Sequence, residues 1–119
     1  MSSKSPYRLA ICRALLQVAR LDHLWTGRGI RKDGRKCVHS LAETNPRDAL
    51  FLRTALSLEN KDFEGPRLQS IFALSGTDQS ALLMAPLAAR SSGQTQQWLA
   101  WVGAVYDLEP EDDAGDQQG

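Results

Sequence analysis

The chain has 119 residues, of which 42% are hydrophobic and 24% are charged, and its formal net charge at pH 7 is zero. These values predict one soluble globular domain with a core of modest size. No apolar run approaches the ~18 residues that span a bilayer, no signal peptide is evident, and two cysteines are too few for a disulfide framework, so we expect a cytoplasmic protein.

The balanced net charge conceals a strong asymmetry between the two ends of the chain. Residues 1–40 contain nine lysines and arginines and two acidic residues, whereas residues 71–119 contain one basic and seven acidic residues. Such asymmetry indicates contact with nucleic acid or another polyanion at the basic end. Head-to-tail association between copies of the chain is also compatible with it.

The first predicted element is a long helix. Ser5 and Pro6 suit the N-cap and N1 positions, and Gly27 suits the position that follows a helix C-terminus. Apolar residues recur between them at three- and four-residue steps, which predicts one buried stripe. The members of this stripe are Tyr7, Ile11, Ala14, Leu15, Val18, Leu21 and Trp25.

A basic, glycine-punctuated segment follows, and residues 26–37 are called the basic segment below. It contains five cationic residues and one acidic residue, Asp33. The pair Asp33-Gly34 is a two-residue hairpin signal and would place Ile30 opposite Cys37. Such a hairpin would also set like charges against one another, which destabilises a ladder. A basic loop and a short β-hairpin therefore both remain open here, and a bound anion would relieve the repulsion.

Further helices are predicted in the rest of the chain. One begins at Asn45-Pro46, a shorter one runs from Gly65-Pro66 to Gly76, and a third begins at Thr77 and is kinked or broken at Pro86. After a loop at residues 91–93, the last helix runs through Trp98 to Val105. The predicted fold is all-α, a compact bundle of about five helices in one domain, residues 1–106. Residues 107–119 are acidic and nearly free of apolar groups, which predicts a disordered tail.

Three other interpretations of the motifs are weaker. The basic segment has two glycines at the spacing of a nucleotide-binding P-loop. Arg35 and Lys36, however, occupy the positions at which that motif requires a lysine and a serine or threonine, so the motif is not matched. Cysteines and histidines at positions 12, 23, 37 and 39 do not match a zinc pattern, so no metal or other cofactor is expected. Trp98, Trp101 and Tyr106 could stack on bases, but helical spacing favours a core role for the tryptophans, with Trp98 the more exposed of the two.

The sequence therefore predicts a small non-enzymatic protein that binds the phosphate backbone of DNA or RNA as a subunit of a larger nucleoprotein assembly. Other protein subunits or further copies of the chain are expected partners, and a membrane is not. The alternative is an adaptor, inhibitor or regulator that docks an acidic surface of a partner protein through the same segment. The predicted contact residues are Arg13, Arg20, Arg28, Arg31, Lys32, Arg35 and Lys36.

Overall fold

Residues 6–108, the part of the chain that the computed structural model describes, contain six α-helices and one 3₁₀ turn. The predicted N-cap Ser5 lies outside this range. The 3₁₀ turn spans Asp22–Leu24. The helices are α1 (Pro6–Val18), α2 (Gly34–Thr44), α3 (Pro46–Glu59), α4 (Leu68–Phe72), α5 (Gly76–Ala88) and α6 (Ser92–Val105).

The core forms around two central helices, α1 and α3. Helix α1 packs against α3 and α6, α2 packs along α3, and α5 pairs with α6. Leu15 and Leu16 of α1 and Phe51 and Leu52 of α3 are completely buried. Because neighbours cover α1 on more than one side, its buried surface is wider than the single predicted stripe. The predicted helical bundle is confirmed.

Helix α1 ends earlier than predicted, and Arg20 explains why. The backbone of Arg20 is left-handed, with φ of 60°. The N–H of Arg20 donates to the carbonyl of Gln17 at 3.1 Å, and that of Leu21 to the carbonyl of Leu16 at 2.8 Å. These two bonds form a Schellman motif, which usually has glycine at the left-handed position. The predicted continuation of the helix to Trp25 is wrong because an arginine stands where sequence reasoning expects glycine.

The hairpin centred on Asp33-Gly34 does not form. Asp33 has φ of −76° and ψ of −2°, and Gly34 is the first residue of α2, whereas the hairpin turn requires positive φ at both residues. Gly34 is buried, and a Cβ there would lie 2.9 Å from Cγ2 of Ile30. This glycine therefore permits a close approach between α2 and Ile30. Helix α2 was not predicted, because its first turn has basic residues and no acidic one.

The beginnings of the later helices follow their capping residues. The side chain of Asn45 accepts a hydrogen bond from the N–H of Asp48 at 3.3 Å, which confirms the predicted start of α3. The cap of α5 is Ser75 rather than Thr77. Ser91 caps α6, so most of the predicted loop at residues 91–93 is in fact the first turn of a helix.

Two details concern the C-terminal part of the fold. Pro86 is exposed inside α5, and the helix continues past it to Ala88. Asp107 is left-handed, with φ of 55°, and Leu108 donates its N–H to the carbonyl of Gly103 at 3.0 Å. The first two residues of the predicted tail thus close α6, while residues 109–119 lie outside the described range. Within that range, no helix combines the length and apolar character that a membrane span requires.

Candidate nucleic-acid interface

A tight turn opens the basic segment. Trp25 and Ile30 form an isolated antiparallel bridge, and Gly27 between them has φ of +94°. The hydroxyl oxygen of Thr26 accepts hydrogen bonds from the N–H groups of Arg28 and Gly29, each at 3.2 Å. The reversal of the chain therefore occurs six residues before the predicted turn, at the glycine that was expected only to end a helix.

The backbone of the basic segment is anchored to the rest of the fold. The N–H of Ile30 donates to Oε2 of Glu59 on α3 at 2.6 Å. The next residue, Arg31, donates its N–H to the carbonyl of Leu24 at 2.7 Å. Together with the close packing of Gly34 on Ile30, these contacts hold the segment in one conformation between the 3₁₀ turn and α2.

The five cationic side chains of the basic segment all point to solvent, and they are Arg28, Arg31, Lys32, Arg35 and Lys36. One of them has an acidic partner within the described residues, since Nε of Arg31 lies 3.3 Å from Oδ1 of Asp33. Both side chains of this pair are more than half exposed, so the pair stabilises the fold little. The structure brings five of the seven predicted contact residues together, with a net charge of +4 over residues 26–37.

Arg35 and Lys36 lie in the first turn of α2. The amino end of a helix carries a partial positive charge that favours anions, so two cations there raise the local potential at a cost in stability. The Cζ atom of Arg35 lies 5.8 Å from the ring centroid of Phe63. Arg53 of α3 lies 5.6 Å from the same centroid. Sequence reasoning missed Phe63 and Arg53 because both are distant from the basic segment along the chain.

The remaining two predicted contact residues are on α1 and its C-terminal cap. Arg13 is half-buried in the middle of α1, and Arg20 is exposed at its end. Arg20 lines a cleft of about 550 Å³ that Asp22, Arg47 and Asp107 also line. The surroundings of Arg20 are therefore mixed in charge, unlike those of the basic segment.

Arg47 joins three helices beside that cleft. Its guanidinium donates to both carboxylate oxygens of Asp78 on α5, at 3.2 and 3.3 Å, and to Asp48 at 2.8 Å. It also donates to the carbonyl of Val18 at the C-terminus of α1, at 3.4 Å, and its Cζ lies 4.6 Å from the ring centroid of Phe51. Because its donors are satisfied within the protein, Arg47 has a structural role.

The hydroxyl of Tyr106 donates to Oδ1 of Asp78 and links α6 to the same group of charges. Burial raises the pKa of Tyr106, and the hydrogen bond to Asp78 raises it further. Burial also acts to raise the pKa of Asp78, but hydrogen bonds from Arg47 and Tyr106 outweigh it and hold that pKa below its ordinary value. Asp78 is therefore ionised in the folded protein at neutral pH.

The cysteines and histidines do not gather into a site. Cys12 is completely buried, and its Sγ donates to the carbonyl of Ala55 at 3.3 Å, so it belongs to the core. His23 and His39 are exposed and Cys37 is half-buried. Among residues 6–108, no group of three or more potential ligands is placed to hold a metal ion.

The two C-terminal tryptophans have the reverse of their predicted order of exposure. Trp98 is 5% exposed, and its indole N–H donates to the carbonyl of Ala81 at 3.1 Å, whereas Trp101 is 37% exposed. The buried face of α6 is formed by Thr95, Trp98 and Val102. Trp101 lies at the edge of that face, so the expectation that Trp98 is the more exposed residue is wrong.

Trp101 belongs to an uncharged surface, which we name the α5–α6 face. It surrounds a groove of about 440 Å³. Its outward-facing members are Ser80, Met84, Leu87, Gln94, Gln97 and Trp101. Between Asp78 and Asp107 the sequence has one charged residue, Arg90, which does not line the groove.

No model of a known protein family, no curated protein and no solved structure matches this chain.

Proposed function

We propose that this protein is a non-enzymatic, cytoplasmic nucleic-acid-binding protein that contacts the phosphate backbone through the basic segment. The observation that carries the proposal is the set of five exposed cations at residues 28–36, opposed by the single carboxylate of Asp33. Such a surface attracts the phosphates of a nucleic acid whatever its base sequence, because the contacts are electrostatic. The proposal also includes Arg13 and Arg20, which lie outside the basic segment, on α1 and at its C-terminal cap.

The conformation of the basic segment supports a binding role. Contacts from Glu59 and Leu24 hold its backbone, so the cations cannot separate by movement of the backbone as they could in a flexible loop. The two cations in the first turn of α2 add to a helix end that is already positive. A phosphate bound there would relieve both unfavourable terms.

The proposal is tested with a variant in which Arg31, Lys32, Arg35 and Lys36 are replaced by alanine. Binding to labelled single- and double-stranded DNA and RNA is measured by fluorescence anisotropy from about 50 mM salt upward, since phosphate contacts are strongest at low salt. We expect weaker binding to every sequence and a slope of log K against log salt that is flatter by up to about four units. Circular dichroism checks that the helices persist.

Two single variants sharpen this test. Lys36→Ala and Gln69→Glu each lower the net charge by one, but only the first lies in the basic segment, and Gln69 is exposed on α4. Only the first is therefore expected to weaken binding. Asp33→Asn removes the one carboxylate of the segment and should tighten binding. Equal effects of Lys36→Ala and Gln69→Glu, or failure of all nucleic acids to bind at about 50 mM salt, would leave the alternative of an acidic partner protein.

A second candidate function, self-association within an assembly, is favoured by the α5–α6 face. Interface cores are poor in charge and rich in aromatic residues and methionine, and Met84, Leu87 and Trp101 are 51%, 48% and 37% exposed. A charged partner surface would lose hydration there without gaining an ion pair. A second copy of this chain presents the same uncharged face, so a two-fold pairing brings no repulsion.

Self-association is tested by sedimentation at increasing protein concentration. The chain is expected to dimerise, and Met84→Gln combined with Leu87→Gln to remain monomeric with an unchanged helical content. Because the face has no charge, the dimer should persist at high salt. A monomer at all concentrations contradicts this assignment. A dimer that dissociates in salt also contradicts it and favours the head-to-tail contact of basic and acidic ends.

A further inference from the structure

A second cluster of cations surrounds a cleft of about 520 Å³ outside the basic segment. Arg8 reaches it from the beginning of α1, Lys61 from the chain after α3, and Arg90 from the turn between α5 and α6. Sequence reasoning missed this cluster, because its members are separated by more than twenty residues along the chain. The fold alone brings them together.

Nothing in the described lining of the cleft neutralises these charges. Arg8, Lys61 and Arg90 are exposed, and none of the eight lining residues is acidic. Within residues 6–108, none of the three takes part in a salt bridge. Three like charges around one cleft repel one another, so an anion that enters it is stabilised by all three.

The cleft lies next to the basic segment. Lys61 is two residues from Phe63, which places their Cα atoms at most about 7.6 Å apart. Phe63 in turn lies against Arg35, with 5.8 Å between the ring centroid and Cζ. The cleft and α2 are therefore close to each other through Phe63, with the exposed Asp62 between Lys61 and Phe63 along the chain.

We propose that Arg8, Lys61 and Arg90 form a second phosphate-binding site, which takes further phosphates of the same nucleic-acid strand that binds the basic segment. This inference rests on the proposed function. A phosphate suits the cluster because its oxygens accept several charge-assisted hydrogen bonds at once, including paired bonds from a guanidinium. A strand with regularly spaced phosphates can occupy both sites at once.

The experiment compares two variants that lower the net charge by the same three units. One is Arg8→Gln with Lys61→Gln and Arg90→Gln. The control is Gln69→Glu with Thr77→Glu and Gln96→Glu, at exposed positions outside both the cleft and the α5–α6 face. Binding to a labelled single-stranded DNA of about thirty nucleotides is measured over a range of salt. The cleft variant is expected to bind at least about tenfold more weakly at ~100 mM salt, with a slope of log K against log salt that is flatter by up to about two units, and the control is expected to change far less.

The outcomes separate this inference from the proposed function. If the cleft variant binds like the control while the alanine variant of the basic segment loses affinity, the second site is wrong and the proposed function stands. If only the cleft variant loses affinity, the cleft is the phosphate site and the basic segment is not. Inorganic phosphate at millimolar concentration serves as a probe, because competition that depends on the three cleft residues supports a phosphate site and its absence contradicts one.

Discussion

The indole N–H of Trp98 donates a hydrogen bond to the carbonyl oxygen of Ala81, 3.1 Å away on the neighbouring helix. This contact joins α6 to α5 within the core. Replacing Trp98 by alanine removes it and leaves a large cavity, which should lower the free energy of unfolding by about 3–5 kcal/mol. Trp101→Ala should cost less than half as much, because that side chain is 37% exposed. Urea denaturation measures both, and equal losses would contradict the assigned roles.

Replacing Arg20 by glycine should raise the stability of the fold and lower its affinity for nucleic acid. A left-handed backbone strains a residue that has a Cβ by roughly 1–2 kcal/mol, and glycine removes that strain while keeping the Schellman motif. The variant should therefore unfold at a higher urea concentration than the parent chain. It should also bind nucleic acid slightly more weakly, since one proposed phosphate contact is lost. A destabilised variant would show that the side chain of Arg20 has a packing role.

Replacing Lys36 by glutamate should also stabilise the fold while it weakens the binding of nucleic acid. The loss of affinity should be larger than in Arg20→Gly. A carboxylate in the first turn of α2 interacts favourably with the helix dipole, by about 0.3–1 kcal/mol. We expect a small gain in thermal stability and weaker binding than in Lys36→Ala. If binding to nucleic acid were unaffected by this charge reversal, the first turn of α2 would not be part of the interface.

The Asp78 carboxylate gives the fold a predictable dependence on pH. Because its pKa is lower in the folded than in the unfolded protein, the unfolded state binds more protons in acid. Its stabilising contribution is complete above the unfolded pKa of about 3.9 and is lost as pH falls through the folded pKa. Asp78→Asn should be less stable at neutral pH, and the difference from the parent chain should shrink below about pH 4. Denaturation curves at several pH values check this, and a constant difference would contradict it.

The sequence was sufficient to predict the helical class and the elements with strong local signals. Asn45-Pro46 marked the start of α3 because its capping chemistry is local. The predictions at Arg20 and Asp33 were wrong because the residue types there do not indicate the backbone conformation that the chain adopts. Helix α1 ends at the left-handed backbone of Arg20, although no glycine is present there to predict the end. Gly34 packs closely on Ile30 and begins a helix, although the pair Asp33-Gly34 is typical of a turn.

The residues of the two proposed phosphate sites also differ in whether the sequence reveals them. The basic segment is contiguous in the sequence, so its charge could be recognised before its shape was known. Arg8, Lys61 and Arg90 are isolated in the sequence, and only the meeting of three chain segments at one cleft makes them a cluster. Neither hydrophobic periodicity nor charge counting detects such a group.

The anchored turn at Thr26 has a consequence for the thermodynamics of binding. Because the hydroxyl of Thr26 and the carboxylate of Glu59 already hold the backbone of the basic segment, a ligand has only side chains to immobilise. Coupled folding buries a large surface and gives a large negative heat-capacity change, whereas docking onto a preformed surface does not. Calorimetry across several temperatures should therefore show an enthalpy of binding that hardly varies with temperature.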